Sequence, residues 1–384
     1  MIDFARLAGQ LDGFATYRRD EDARHTDRLG RACDALGACA DDWEALADRA
    51  RADDQGPLRA VPHDPPHGGH AGTDRPATVT VVATDGSQIF PDRHVEPACY
   101  LLNVGRIALH YGTLDPPLIQ AEPTLRYRQA DLADLAEDDV PHALDLTAEV
   151  VSALRDELEL SWLFRTAEEE RRSGRAIVAM ADGTLIRWML RGMKNRRLED
   201  RLIARYVAEL DRFKEAGIPV CSYVSQPANA EVVNLLRLHL GEPDWEPGPD
   251  SIKGVLDRHV FAETLAPGQR SARFASRSRV LDAYGPHKIV AFYLHGGAEI
   301  GRVEMPEWVA TDPEMLALVH AVVLDQCDKG GGYPIVLQEA HQRAVVRAEE
   351  KEIFYRVLAR TVRGAGVSLP TYSGKAASKR APRV

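Results

Sequence analysis

Apolar residues recur along this chain in two rhythms, one helical and one extended. Over the first fifty-odd residues Leu7, Leu11 and Phe14, then Leu29, Cys33, Leu36, Trp43 and Leu46, return at spacings near three, four and seven. With many charges between them, residues 1–54 are expected to form a helical arm. It would either lie on the main domain or offer a surface to a partner or a second copy. Leu146, Val150, Leu154, Leu158 and Trp162 step by four, a stripe that predicts a helix from about Leu144 to Arg172, closed by Ser173-Gly174. A strongly charged helix is predicted from Arg187 to Ala216, another from Ala230 to Leu240. A last one starts near Pro334, a residue suited to a first helical turn, and ends about Val362. Between these lie short β-rich runs: Val79 to Thr84, Ala176 to Met180, Ile218 to Val224 and Lys288 to Leu294. Ala98 to Tyr111 reads as a meander around a Gly-marked turn, and Arg302 to Trp308 as strand into turn. The stretch from Tyr111 to about Pro141 is acidic and interrupted by proline.

Pro, Gly, His and Asp dominate residues 55–78, which are expected to form a flexible loop because they cannot bury enough apolar surface to order themselves. Its clustered histidines read as solvated rather than as metal ligands. Residues 79–365 are expected to form the main domain and 366–384 a basic disordered tail carrying Lys375, Lys379, Arg380 and Arg383. A net charge of −10 over 384 residues argues against a protein that coats nucleic acid non-specifically. It leaves room for a local basic groove, since charge is screened within roughly 10 Å at physiological salt. Five scattered cysteines without CxxC spacing suggest a reduced compartment. No run approaches the ~18 apolar residues of a membrane span. The expectation is a cytoplasmic protein that does not engage membranes.

The candidate chemistry begins where two of the apolar runs end. Asp85-Gly86-Ser87 and Asp182-Gly183-Thr184 would each carry a carboxylate out of a strand into a turn, and so place two acids on one sheet edge. Such a pair either holds divalent metals or surrounds a nucleotide's phosphates. A meander followed by α/β alternation suits an α/β fold with an RNase H-like mixed sheet flanked by helices. There, the helix between the two Asp strands can add a third acid. Glu157 and Glu159 lie on either side of Leu158 on that helix, and helical geometry does not choose between them. Near the end, Tyr333 precedes His341 by about 12 Å of helix rise, so the imidazole can serve a metal while the phenol sits at the helix entrance. Arg187, Arg191, Lys194, Arg196 and Arg197, with Arg201 and Arg205 beyond, form a candidate DNA contact. The bland alternative is a solvated face pairing with Glu199, Asp200, Glu209 and Asp211. Arg270, Arg273, Arg277 and Arg279 are a second basic cluster. Trp188 reads as core rather than as a stacking platform.

Taken together and in order, Asp85-Gly86-Ser87, Asp182-Gly183-Thr184-Leu185, Arg302-Val303-Glu304-Met305-Pro306-Glu307-Trp308 and Gly332-Tyr333-Pro334…Ala340-His341 resemble the NurA nucleases. The resemblance covers roughly residues 79 to 350. It implies an RNase H-like fold, a homodimer, and cleavage of single- and double-stranded DNA in end resection and double-strand break repair beside a HerA-type hexameric ATPase. The implied activity is Mn²⁺-dependent 5′–3′ exonuclease with single-strand endonuclease action, from a two-metal site where Mg²⁺ can substitute. By the same resemblance Asp85, Glu159, Asp182, Tyr333 and His341 would be catalytic, all but Tyr333 as metal ligands. An Arg-x-x-x-Glu pattern, matched by Arg155 to Glu159, favours Glu159, with Glu157 as runner-up. The sequence departs from the family in the His-rich segment before Asp85 and in Ser225-Gln226, where a lysine is expected. Two rival readings are an actin-like or sugar-kinase-like phosphotransferase, which uses similar Asp-Gly-Thr turns around ATP, and a non-catalytic adaptor of a DNA translocase.

Overall fold

The computed structural model describes residues 3–90, 99–127, 148–191, 196–244, 248 and 251–366. Along the chain, α1 (Phe4–Ala38) and α2 (Trp43–Ala52) lead to two short strands, β1 (Val61–Pro62) and β2 (His70–Ala71). Next come β3 (Val79–Ile89), β4 (Tyr100–Tyr111), β5 (Leu118–Arg126), α3 (Ala148–Arg171), β6 (Ala176–Asp182) and α4 (Arg196–Ala216). They are followed by β7 (Val220–Ser225), α5 (Glu231–His239), α6 (Asp257–Thr264), β8 (Gln269–Arg270), β9 (Phe274–Ala275), β10 (Ile289–His295) and β11 (Ile300–Pro306). The helices α7 (Glu307–Ala310), α8 (Pro313–Lys329), α9 (Ile335–Ala344) and α10 (Ala348–Gly364) complete the described chain. It is a mixed α/β fold of the RNase H-like class, with a long N-terminal helix.

The chain divides into two compact units, each assembled from separated stretches. One comprises residues 1–75, 183–186 and 221–334. Its strands run β1-β9-β10-β11-β7, with β10 and β11 a seven-pair antiparallel hairpin and β8 bridging β10 to β2. Leu36, Leu46, Leu235, Ile252, Phe261, Phe274 and Tyr293 fill its core. The later part of α1 (Ala32, Ala35, Leu36) and α2 (Leu46, Ala47, Ala50) close this core, while Leu11 and Phe14 of the predicted stripe stay exposed. Several charges are buried within it, so they must be paired. Arg302 lies 3.1 Å from Glu231 and 2.9 Å from Glu304. The Asp257 carboxylate accepts the Val232 and Val233 amides at 3.2 and 2.8 Å, which caps the otherwise bare start of α5.

α8 carries an informative histidine. His320 is buried, with Nε2 3.3 Å from the Gly268 carbonyl oxygen. Burial, and after it the Arg270 guanidinium, push its pKa down from the ordinary 6.5 to about 4. The folded protein thus prefers the neutral ring, and its contribution is intact above pH 6.5 and lost as pH falls toward 4. Acid should therefore destabilise the protein across that window by up to about 3 kcal/mol, and His320→Gln should flatten the dependence. Denaturant titrations at several pH values check this.

The other unit comprises residues 76–182, 187–220 and 335–384. Its central strand is β3, parallel to β6 and antiparallel to β4, which in turn pairs β5. Val79, Val81, Val82 and Ala83 are fully buried, as expected of a strand covered on both faces. Thr84 donates to the Glu159 carbonyl of α3 at 2.9 Å, and Gln88 accepts from Arg155 of the same helix at 3.0 Å. Ser87 instead donates to the Ala344 carbonyl of α9. Successive side chains of a strand alternate faces. Thr84, Gly86 and Gln88 therefore meet α3, while Asp85 and Ser87 meet α9.

Several expectations change here. Asp85-Gly86-Ser87 does not form a turn: all three lie inside β3, opposite Gly105, Val104 and Asn103 of β4. The second motif does turn, because Gly183 adopts φ +74° immediately after β6 ends. β5 occupies part of the stretch read as irregular, since Pro123 sits on the outermost strand, where a missing ladder donor is tolerated. The charged helix begins at Arg196, with a single 3₁₀ turn at Trp188–Leu190 before it. The last predicted helix is two, broken between Ala344 and Ala348. α8 was not expected at all, although Asp312 accepts the Glu314 and Met315 amides and Pro313 opens the helix. Within 55–78, β1 and β2 pair with β9 and β8, and Asp64 binds the Arg273 guanidinium. The start of the Leu144–Arg172 helix and residues 367–384 of the tail lie outside the described residues.

Candidate active site

Asp85 sits near the middle of β3 with its side chain 15% exposed. One oxygen, Oδ1, accepts the Gly86 amide at 2.7 Å; the other, Oδ2, lies 2.7 Å from Nδ1 of His341. That contact depends on α9 lying close over the sheet. Asn103 donates to the Ala344 carbonyl at 2.8 Å, and Ser87 reaches the same oxygen, so β3 and β4 tie down the helix end. Gly105, opposite Asp85, makes the approach possible. A Cβ there would stand 2.5 Å from the Ala340 carbonyl oxygen and 2.8 Å from the Ala344 nitrogen.

Glu159 arrives from the other face. Thr84 fixes its backbone, and a Cβ at Gly86 would lie 2.3 Å from its Oε1. Gly86 has no positive φ to explain it; its role is space. The Glu159 carboxylate thus lies over Gly86, the residue that follows Asp85 in β3. Asp182 ends β6 one position beyond the Thr84–Ala181 pair, the place on the neighbouring parallel strand that corresponds to Asp85. Corresponding positions of paired strands share a face, so Asp85 and Asp182 project to the same side.

The structure separates the two helical acids. Glu157 faces α4, where Arg205 binds it at 2.8 Å. Glu159 lies among charges: Nε of Arg155 is 2.9 Å from Oε1, yet the pair is not aligned as a hydrogen bond, and both atoms are buried without an aligned partner. Arg155 also donates to Asp156 at 2.8 Å, and Asp156 receives Arg187 at 3.1 Å. Burial, then the Asp156 carboxylate and, less strongly, that of Asp85, raise the Glu159 pKa above the ordinary carboxylate range, against the pull of Arg155.

Tyr333 belongs to the other unit, where its ring meets that of Tyr223 edge-on with centroids 5.6 Å apart. The proposed DNA contacts divide. Arg187 is turned inward onto Asp156 and stacks over Tyr206, and Arg191 pairs with the fully buried Glu199 at 3.0 Å. Arg196 and Arg197 are exposed, Arg196 at 3.7 Å from Glu199. Lys194 lies outside the described residues. Trp188, expected in the core, is 61% exposed beside Met189 at 56%. In the second cluster, Arg273 and Arg277 are spent on Asp64, Asp54 and backbone carbonyls. A cleft of about 870 Å³ lined by Arg59, Arg277, Lys288 and Glu307 lies apart from these acids in sequence and unit, and its Arg59 is already paired with Asp53 and Asp244. Sequence reasoning missed Arg155, Asp156 and the inward role of Arg187. The only signal was Arg155's four-residue spacing from Glu159, used there to select Glu159 alone.

Among the described residues no three His, Cys, Asp or Glu side chains are drawn together tightly enough to hold a metal as they stand. The donor chemistry nevertheless fits a hard divalent cation. Asp85, Asp182 and Glu159 offer oxygens, His341 an imidazole, and the buried Oε1 of Glu159 has no aligned hydrogen bond.

A mixed sheet with an acid on its central strand, a second on the parallel neighbour and a third on the connecting helix defines an RNase H-like nuclease architecture. The match to the NurA domain model, over residues 79–346, makes the assignment specific: the chain belongs to the NurA family of metal-dependent DNA nucleases. Similar solved structures include the NurA nuclease from Sulfolobus solfataricus, at 14% identity and a TM-score of 0.49 over 78% of this chain and 88% of that one. A second NurA structure aligns at 12% identity and 0.39, covering 83% and 95%. LC9-RNase H1, a type 1 RNase H with the type 2 active-site motif, aligns at 14% and 0.22, covering 50% and 88%. No curated protein matches the chain by sequence. No described helix is long and apolar enough to cross a membrane.

Proposed function

We propose that this protein is a Mn²⁺-dependent DNA nuclease, a 5′–3′ exonuclease on single- and double-stranded DNA with single-strand endonuclease activity. It would act in end resection and break repair as a cytoplasmic homodimer beside a HerA-type ATPase. The observation that carries the chemistry is the Asp85–His341 pair on β3, with the Glu159 carboxylate over the adjacent Gly86. Asp85, Asp182, Glu159 and His341 would hold the cation, with Mg²⁺ as a substitute, and Tyr333 would contact phosphate. Divalent ions held there acidify the attacking water and offset charge on the departing oxygen. The chain's own contribution is orientation. Gly86 and His341 fix the two oxygens of Asp85, Thr84 anchors the turn bearing Glu159, and Arg187 pairs with Asp156 beside it.

The test is 5′-labelled single-stranded and duplex DNA with Mn²⁺, Mg²⁺ or EDTA, without ATP. Nucleotide release that needs a divalent ion and no ATP is expected. Failure with every divalent ion, or phosphoryl transfer that needs ATP, would reject the reading. The exposed arginines give a separate expectation. Arg196→Ala with Arg197→Ala should lower the slope of log affinity against log salt by up to ~2, because each phosphate contact contributes ~0.7–0.9. Fluorescence anisotropy at several salt concentrations measures it.

A further inference from the structure

The guanidinium of Arg155 has a place in the acid cluster that the metal ligands alone do not explain. It sits one helical turn before Glu159, with Nε 2.9 Å from Glu159 Oε1, and lies close enough to Asp85 for that carboxylate to help keep it charged. Its other nitrogens are committed elsewhere, to Gln88 at 3.0 Å and Asp156 at 2.8 Å. The Nε contact is the unsatisfied one: neither Nε nor Oε1 has an aligned hydrogen-bond partner. The interaction with Glu159 is thus Coulombic proximity without directional bonding. The contacts to Gln88 and Asp156 are the ones that hold the side chain.

We infer that Arg155 is the resident counter-cation of the Asp85–Glu159 pair, competing with a divalent metal for Glu159 and remaining anchored by Gln88 and Asp156 when the metal takes the carboxylate. This rests on the reading of Asp85 and Glu159 as metal ligands. Two like charges brought together with no cation repel, so a metal-free site needs an internal positive charge. A divalent ion must then displace that charge from Glu159 and tolerate it nearby, which weakens metal binding. Arg155 is a positioning residue in this role: it keeps Glu159 directed at Gly86 while the site is empty of metal and sets how much metal is needed to fill it.

Isothermal titration of Mn²⁺ into the full-length protein without DNA tests the inference on wild type, Arg155→Met, Arg155→Lys and Glu159→Gln. Arg155→Met should bind Mn²⁺ about tenfold more tightly, near 1.4 kcal/mol. Arg155→Lys, which restores the charge, should return to within about threefold of wild type. An Arg155→Met affinity equal to or weaker than wild type, in a protein whose circular dichroism is unchanged, overturns the inference. So does an Arg155→Lys variant that binds as Arg155→Met does. Glu159→Gln decides the underlying assignment separately. If it binds Mn²⁺ as wild type does, Glu159 is no ligand and the metal reading itself fails, whatever Arg155 does.

Discussion

Asp85→Asn is expected to reduce divalent-dependent DNA cleavage by at least ~10²-fold while the protein stays folded. The substitution keeps shape and size, and the Gly86 amide can still bond the side-chain oxygen. It removes a charge beside both His341 and the Glu159–Arg155 pair. A residue that only orients a ligand typically costs ~10–100-fold on mutation. A direct ligand should exceed that range. Initial rates with Mn²⁺, set beside thermal melts of both proteins, separate lost chemistry from lost folding. A rate within tenfold of wild type would remove Asp85 from the centre of the site.

Gly105→Ala should damage the same site from a position that touches no substrate. The added methyl would stand 2.5 Å from the Ala340 carbonyl oxygen and 2.8 Å from the Ala344 nitrogen, both backbone atoms that cannot rotate away. α9 must therefore lift from β4. Overpacking of this kind costs about 1–3 kcal/mol. The lift also withdraws His341 from Oδ2 of Asp85. We expect a lower denaturation midpoint together with slower cleavage. Gly86→Ala makes a useful contrast, because its methyl would meet the movable side chains of Glu159 and Arg155 rather than backbone. A Gly105→Ala protein with wild-type stability and wild-type rates would show that α9 is not held where these distances place it.

How much of this was legible beforehand follows from where each signal resides. Strands such as β3, β6, β7 and β10 announced themselves as short apolar runs, because strands buried on both faces need continuous hydrophobicity. The stripe of α3 was equally plain. α8 was not, since His320 and the apolar residues around it are buried together and leave little polar alternation to reveal a period. β5 was hidden by Pro123, and the break after Ala344 by the apolar residues on either side of it. The motifs identified Asp85, Asp182 and His341 as candidates, and the structure sets Asp85 beside His341. No one-dimensional pattern could show that Asp85 faces α9 while Glu159 lies over Gly86 on the other face of the same strand. Nor could it show that Glu157 is committed to Arg205, or that Trp188 faces solvent. Those facts depend on which helix covers which face, a property of the assembled sheet.

The bond between Asp85 and His341 joins residues 256 positions apart, with consequences for biosynthesis. At ~5–20 residues per second, a ribosome that has delivered β3 needs about 10–50 s more to deliver α9. During that interval the nascent chain exposes Gly105 and the face of β3 that α9 will cover. Until α9 emerges, the face of β3 that it covers stays unshielded, and Asp85 lacks its imidazole partner.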